Sequence, residues 1–322
     1  MKIRNFLILL WLGVAGCVSD APRDNPLDPQ SDRYAPVGTL SGRLLIRNTA
    51  TGVASAEIIR VSDGLTVRSD SAGFFSVKEL PAGMQSFIAV KSNFPNDTFS
   101  VSIPAGGTAT IVREMNSAPV VTMKQIVTHK IDYVEYFPRY YVTVSASVTD
   151  PNGITDLSGA WFAVSTYRFP MEYSPTTKLF SVTVEKDSFP TNSIEWLINK
   201  PLTIVSTDGQ GATNVSDPFM VTRIIENTAA PITQDTTTGT PLFKWKPPAV
   251  SFNYTSIITV ARRGTETTVW KYAGLLSFFE ELQYPTDGSV VPLSAGNYFW
   301  TITIVDDFGN TSRSQESYFT VK

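Results

Sequence analysis

Beyond residue 37 the chain alternates apolar and polar positions. Phe87-x-Ala89 and Tyr298-x-Trp300-x-Ile302-x-Ile304 place apolar side chains at every second position. That spacing sends them to one face of an extended strand. No stretch there sustains the 3.6-residue period of an amphipathic helix. Turn signals separate the runs at about ten-residue intervals, among them Asp63-Gly64, Pro81-Ala82-Gly83, Ala105-Gly106-Gly107 and Asp287-Gly288. Many short strands with regular turns, rich in Val, Thr, Ile and aromatic residues, predict an all-β fold of tandem sandwiches.

The first residues follow a different pattern. Lys2 and Arg4 precede the apolar run Phe6 to Leu12, and small residues Gly13, Ala15 and Gly16 lead into Cys17. This is the layout of a secretory signal, with an apolar run too short to span a bilayer. Val14-Ala15-Gly16-Cys17 resembles the lipobox of bacterial lipoproteins. The resemblance implies removal of residues 1–16 and diacylation of the Cys17 thiol. An ordinary signal peptide with an incidental cysteine is the alternative. Each buried methylene adds about 0.8 kcal/mol, so the two or three acyl chains implied by the resemblance would anchor the protein durably. Val18, in place of the Asp that sorts such proteins elsewhere, leans toward the outer membrane.

Residues 17–37 read as a tether. Pro22, Pro26, Pro29 and Pro36 alternate with Asp20, Asp24, Asp28 and Asp32, and large apolar residues are few. Such a segment cannot bury enough surface to fold and spans roughly 25 Å as a flexible chain. Asn25-Pro26-Leu27-Asp28-Pro29 looks like a short element found after the lipidated cysteine in surface lipoproteins.

Three modules follow. Residues 38–116 carry Leu40-Ser41-Gly42-Arg43-Leu44, Ser69-Asp70-Ser71-Ala72-Gly73-Phe74-Phe75 and Leu80-Pro81-Ala82-Gly83. This order resembles the carboxypeptidase regulatory-like domain, a transthyretin-like sandwich without catalytic residues. The Asp70–Gly73 turn is expected to deliver Phe74 into the core, and Gly83 to adopt a conformation other residues resist. Residues 117–226 contain the β-prone run Tyr140 to Val148, the turn Asp150-Pro151-Asn152-Gly153 and the run Trp161 to Val164. They resemble bacterial immunoglobulin-like domains, with Trp161 expected in the core. Residues 227–322 carry Pro241-Leu242-Phe243-Lys244-Trp245 and Leu293-Ser294-Ala295-Gly296-Asn297-Tyr298. They look like a fibronectin type III domain, with Trp245 and Tyr298 on core strands.

The last two modules end alike. Asp208-Gly209-Gln210-Gly211 precedes Phe219, and Asp306-Asp307-Phe308-Gly309 precedes Phe319, with 98 residues between the glycines and 100 between the phenylalanines. This supports two copies of one architecture, each closed by an Asp-x-x-Gly corner.

Composition narrows the chemistry. Without residues 1–16 the chain keeps 306 of its 322 residues, and loss of Lys2 and Arg4 leaves 24 basic against 29 acidic residues, formally −5. No basic tract of the kind that tracks a phosphate backbone is present, which argues against nucleic acid as a partner. Cys17 is the single cysteine and His129 the single histidine. With Cys17 acylated, disulfides, thiolate zinc sites and cysteine nucleophiles are excluded. His129 lacks a second ligand or a nucleophile in its neighbourhood and is expected to be a solvated strand residue.

Candidate sites are few. Besides the Asp306-Asp307 pair of the corner, Glu280-Glu281 are the adjacent carboxylates, and strand geometry points them to opposite faces and so suits them poorly to paired acid–base work. Asp150, Asn152 and Asp208 are oxygen donors on loops of one module, and Asp150 and Asp208 each end a strand. If those ends share a pole, the three residues form a calcium candidate. Tyr133, Tyr136, Tyr140, Tyr141, Tyr167, Tyr173, Trp270 and Tyr272 could give a sugar-stacking platform where they face solvent, and otherwise pack. The sequence therefore predicts a non-enzymatic, lipid-anchored cell-envelope protein whose modules bind a glycan or another envelope protein. A structural spacer in an envelope or secretion complex is the alternative, and a carboxylate-based accessory enzyme a third.

Overall fold

The computed structural model describes residues 28, 30–31, 36–286 and 291–322. The signal segment, Cys17, nearly all of the tether and the Asp287-Gly288 turn lie outside the described residues. The rest is all-β, with three short 3-10 turns and no α-helix among the described residues. It divides into two compact units, one ending at Met115 and the other running from Asn116 to Lys322.

The first unit is a seven-stranded sandwich. Its strands are β1 (Val37–Ile46), β2 (Glu57–Arg60), β3 (Thr66–Arg68), β4 (Phe74–Pro81), β5 (Gly83–Lys91), β6 (Phe94–Ile103) and β7 (Thr108–Met115). One sheet has the order β4-β1-β7 and the other β3-β2-β5-β6. β1 runs antiparallel to β4 and parallel to β7. Leu40, Leu44, Ile58, Val77, Leu80 and Phe87 fill the space between the sheets.

The Asp70 turn forms as expected, with Asp70 Oδ1 accepting from the backbone N–H groups of Ala72 and Phe74. Gly73 has φ +83°, and a Cβ there would lie 2.1 Å from the Leu44 carbonyl oxygen, so only glycine fits. The phase of the following strand differs from expectation. Phe75, 5% exposed, enters the core, while Phe74, 52% exposed, lies outside under the Arg43 guanidinium.

The second unit opens with β8 (Val120–Ile131), β9 (Arg139–Thr149), β10 (Leu157–Val164), β11 (Tyr167–Ser174), β12 (Leu179–Glu185), β13 (Leu202–Asp208) and β14 (Thr213–Val215). β14-β13-β10-β11 form one face and β11-β12-β9-β8 the other. β11 serves both faces: its first half pairs with β10 and its last residues with β12. Val142, Val144, Phe162, Leu197, Leu202 and Ile204 make the core between them. Phe162 holds the core position that Trp161 was expected to fill. Trp161, one residue earlier on the strand, lies on the other face against Gly159.

The chain continues through β15 (Ala230–Pro231), β16 (Thr236–Thr237), β17 (Leu242–Lys246), β18 (Tyr254–Arg262), β19 (Thr268–Leu276), β20 (Glu281–Gln283), β21 (Gly296–Asp306), β22 (Thr311–Arg313) and β23 (Ser317–Val321). β15-β17-β20 make one sheet; β19-β18-β21, with β22 and β23 on the far side of β21, make the other. Trp245, Trp300, Tyr298 and Phe319 are buried between them. Trp245 and Tyr298 thus sit where the fibronectin-like pattern puts them, and the Tyr298 hydroxyl donates to the Ser294 carbonyl at 2.9 Å.

The two cores are separate, but their sheets are not. β22 pairs in parallel with β8, matching Thr311 to His129 and Arg313 to Ile131. A single thirteen-stranded sheet therefore runs through both modules. Side chains reinforce the joint. Asn310 Oδ1 accepts from the Thr128 backbone N–H at 2.8 Å and from its hydroxyl at 3.1 Å. His129 is consequently not a solvated strand residue. It stacks on Tyr141 with ring centroids 4.5 Å apart, and its Nδ1 is 2.8 Å from Thr311 Oγ1.

Candidate binding cleft and candidate metal centre

The β8–β9 connection, residues 132–138, is rich in aromatic and acidic side chains. Tyr136 is 76% exposed and Phe137 92%. Because β22 docks on β8, this loop lies against the end of the third module. Together they enclose a cleft of about 350 Å3. Tyr133 and Tyr136 meet edge to face on one side, and Phe299 and Tyr318 pack together on the other. Arg263 lies 4.7 Å from the Tyr318 ring centre, and Arg313 caps Tyr133 at 5.5 Å. Glu135, Glu266 and Glu316 supply carboxylates, of which Glu316 is held by Arg313 at 2.9 Å. Exposed rings beside free carboxylates suit a ligand with C–H faces to stack and hydroxyls to donate.

Of the other expected aromatics, Tyr167 (37% exposed) and Tyr173 (38%) face solvent away from this cleft, Tyr167 edge-on to Trp196 and Tyr173 beside Phe180, and the rest pack or pair. The Tyr141 ring lies on His129, Trp270 and Tyr272 pack onto the third core, and the Tyr140 hydroxyl donates to Glu226. Glu280 and Glu281 are exposed, and Glu281 pairs with Lys244 across the β17–β20 ladder.

Of the expected oxygen donors of the second module, Asp150 and Asp208 meet, and Asp156 joins them. Asp150 follows the last residue of β9, Asp208 ends β13, and Asp156 lies in the 3-10 turn Ile154–Asp156 between β9 and β10. One carboxylate oxygen from each lies within 4.8 Å of the others. Gly209 N–H donates to the Asp156 carbonyl at 2.7 Å, tying the turn to the Asp208 corner. Asp208 is 2% exposed, and its Oδ1 accepts from the backbone of Gln210 and Ala212. Asn116, the first residue of the unit, donates from Nδ2 to Asp208 Oδ2 at 2.5 Å. Asp150 Oδ1 accepts from the Asn152 N–H. Asp150 Oδ2, Asp156 Oδ2 and Asn116 Oδ1 are buried without a hydrogen-bond partner. Burial first, then repulsion from Asp156 and Asp208, hold the Asp150 carboxyl above the usual carboxylate range.

Asn152 plays a different part from the other two expected donors. Its Oδ1 accepts from the Ser117 N–H at 2.8 Å, which fixes the entry segment beside the cluster. Asp156 and Asn116 were not singled out by sequence. Asp156 sits in a short turn with no ligand-spacing signal, and Asn116 precedes the module's first strand.

No known protein family matches the chain, and no curated protein matches it. Solved structures share its β-sandwich construction at low identity. BcpA, the major pilin subunit of Bacillus cereus, is 12% identical over 89% of this chain and 95% of its own, with a TM-score of 0.30. The fibronectin(III)-like modules of Clostridium thermocellum CbhA are 11% identical over 63% of this chain and 94% of theirs, with a TM-score of 0.30. A DUF3823 family protein from Bacteroides ovatus is 11% identical over 57% of this chain and 97% of its own, with a TM-score of 0.27.

Proposed function

We propose that this chain is a non-enzymatic cell-envelope protein, lipid-anchored at Cys17 in the outer membrane, that presents its β-sandwich modules to bind a glycan. The modules are read as carboxypeptidase regulatory-like, immunoglobulin-like and fibronectin type III-like on the motifs given above. The observation that carries the binding role is the cleft between Tyr136 and Tyr318. The rings of Tyr136 and Tyr318 are exposed, those of Tyr133 and Phe299 half-buried, and Glu135 and Glu266 line it. Sugar rings stack on such faces while their hydroxyls donate to such carboxylates.

The test is a glycan array probed with the full chain in detergent, beside Tyr136→Ala and Tyr318→Ala. Binding to a defined glycan set that falls at least tenfold in both variants supports the reading. Equal binding by all three proteins would refute a role for the cleft. A spacer role is the second reading, favoured by the thirteen-stranded sheet that joins two modules into one unit. No glycan binding by any of the three would support it.

A further inference from the structure

We propose that Asp150, Asp156 and Asp208, with Asn116, form a calcium site at one pole of the second module. Three carboxylate oxygens within 4.8 Å of one another match the spacing of ligands around a single ion. Calcium–oxygen distances of about 2.3–2.6 Å put neighbouring ligand oxygens up to about 5 Å apart. Among the described residues, no basic side chain pairs with any of the three carboxylates.

The buried oxygens are an independent sign. Asp150 Oδ2, Asp156 Oδ2 and Asn116 Oδ1 are sealed from solvent and bonded to nothing. Buried anionic oxygens are costly unless paired, and a cation among them removes that cost. The Asn116 amide contributes in either state. Without the ion its Nδ2 donates to Asp208, and a half-turn of the amide presents Oδ1 as a neutral ligand.

The third module provides an internal control. Its Asp306 corner repeats the Asp208 corner: Asp306 Oδ1 accepts from Phe308 and Asn310 N–H groups, and Gly211 and Gly309 both have φ +86°. At the second oxygen of Asp306, Arg223 supplies a guanidinium at 3.0 Å. At the second oxygen of Asp208 there is only a neutral amide, and two more carboxylates stand close by. The copy with more negative charge is the one without a protein cation.

An all-oxygen set on loops selects a hard cation. The absence of sulfur or imidazole among these ligands disfavours zinc. The loops do not impose the tight octahedron that magnesium requires, so calcium fits better. Asn152 acts as a positioning residue, since it holds the Ser117 backbone rather than facing the ion.

The experiment is calorimetric titration of the EDTA-stripped full chain with calcium chloride, with magnesium chloride as a second arm. Thermal unfolding is followed in calcium and in EDTA. One calcium per chain is expected, with a Kd in the ~0.1–1 mM range of extracellular modules. Magnesium should bind at least tenfold more weakly. Asp150→Asn and Asp156→Asn, which keep the shape and remove repulsion, should lose at least tenfold in calcium affinity. They should also unfold at or above the wild-type temperature in EDTA, and below it in calcium. No binding up to about 10 mM calcium, or binding that both variants retain, would overturn the site.

Discussion

Arg223 donates from Nη1 to Asp306 Oδ2 at 3.0 Å, and the Asp306 side chain is fully buried. The guanidinium also lies over the rings of Phe252, at 4.1 Å, and Phe308, at 5.2 Å. The Arg223 carbonyl accepts from the Thr128 hydroxyl, so one residue ties the second module, the linker and the third module together. Arg223→Ala leaves a buried carboxylate with only neutral donors. Because Arg223 is partly exposed, the expected loss is about 2 kcal/mol. Urea unfolding of the full chain reads it as a lower midpoint for the second unit, with the first unit unmoved.

Asn310 carries the neighbouring half of this joint. Asn310→Ala removes the acceptor of the Thr128 N–H and one donor to Asp306. A loss of about 2 kcal/mol is expected for an orphaned buried amide. Faster hydrogen exchange at Thr128, without equal acceleration at Val144 in the adjacent strand, would locate the effect at the joint.

His129 gives the joint a pH dependence. Burial first, then the Arg139 charge, lower the pKa of the imidazole in the folded state. In the unfolded chain the ring titrates near about 6.5. Between those two values only the unfolded chain binds the proton. Stability from this group is therefore full above about pH 6.5 and is lost as pH falls toward the folded pKa. As His129 is the only histidine, His129→Gln should flatten the stability slope between about pH 7.5 and 5.5. An unchanged slope would contradict this assignment.

The first unit should respond by itself to Gly73→Ala. The positive φ and the 2.1 Å approach to the Leu44 carbonyl predict a loss of about 2 kcal/mol or more. Calorimetry should show an earlier transition for the first unit and an unchanged one for the second.

The fold class was legible because alternation and turn residues are local signals. Their period is reliable, but the phase at a strand's start is not. A shift of one residue exchanges the two faces of a strand. That is why Phe75 and Phe162 hold the core positions expected of Phe74 and Trp161. Asp150 and Asp208 were legible as strand-end donors whose meeting depended on topology. Asp156 and Asn116 join them through tertiary folding, which no spacing records. The cleft was half legible for a similar reason. Tyr133 and Tyr136 stand out in sequence, but Tyr318 and Arg263 reach them through the β8–β22 ladder. That ladder rests on only three residues, Thr311–Arg313, with no pattern of their own.

Display from a membrane through Cys17 is the claim on which the functional reading stands. Its most direct measurement is the intact mass of the chain extracted from membranes, beside the partitioning of a Cys17→Ser variant. The expected result is a mature chain beginning at Cys17 and carrying a diacylglyceryl group, with the variant lost from the membrane fraction. A free Cys17 thiol, or a Cys17→Ser protein that still partitions into membranes, would contradict it.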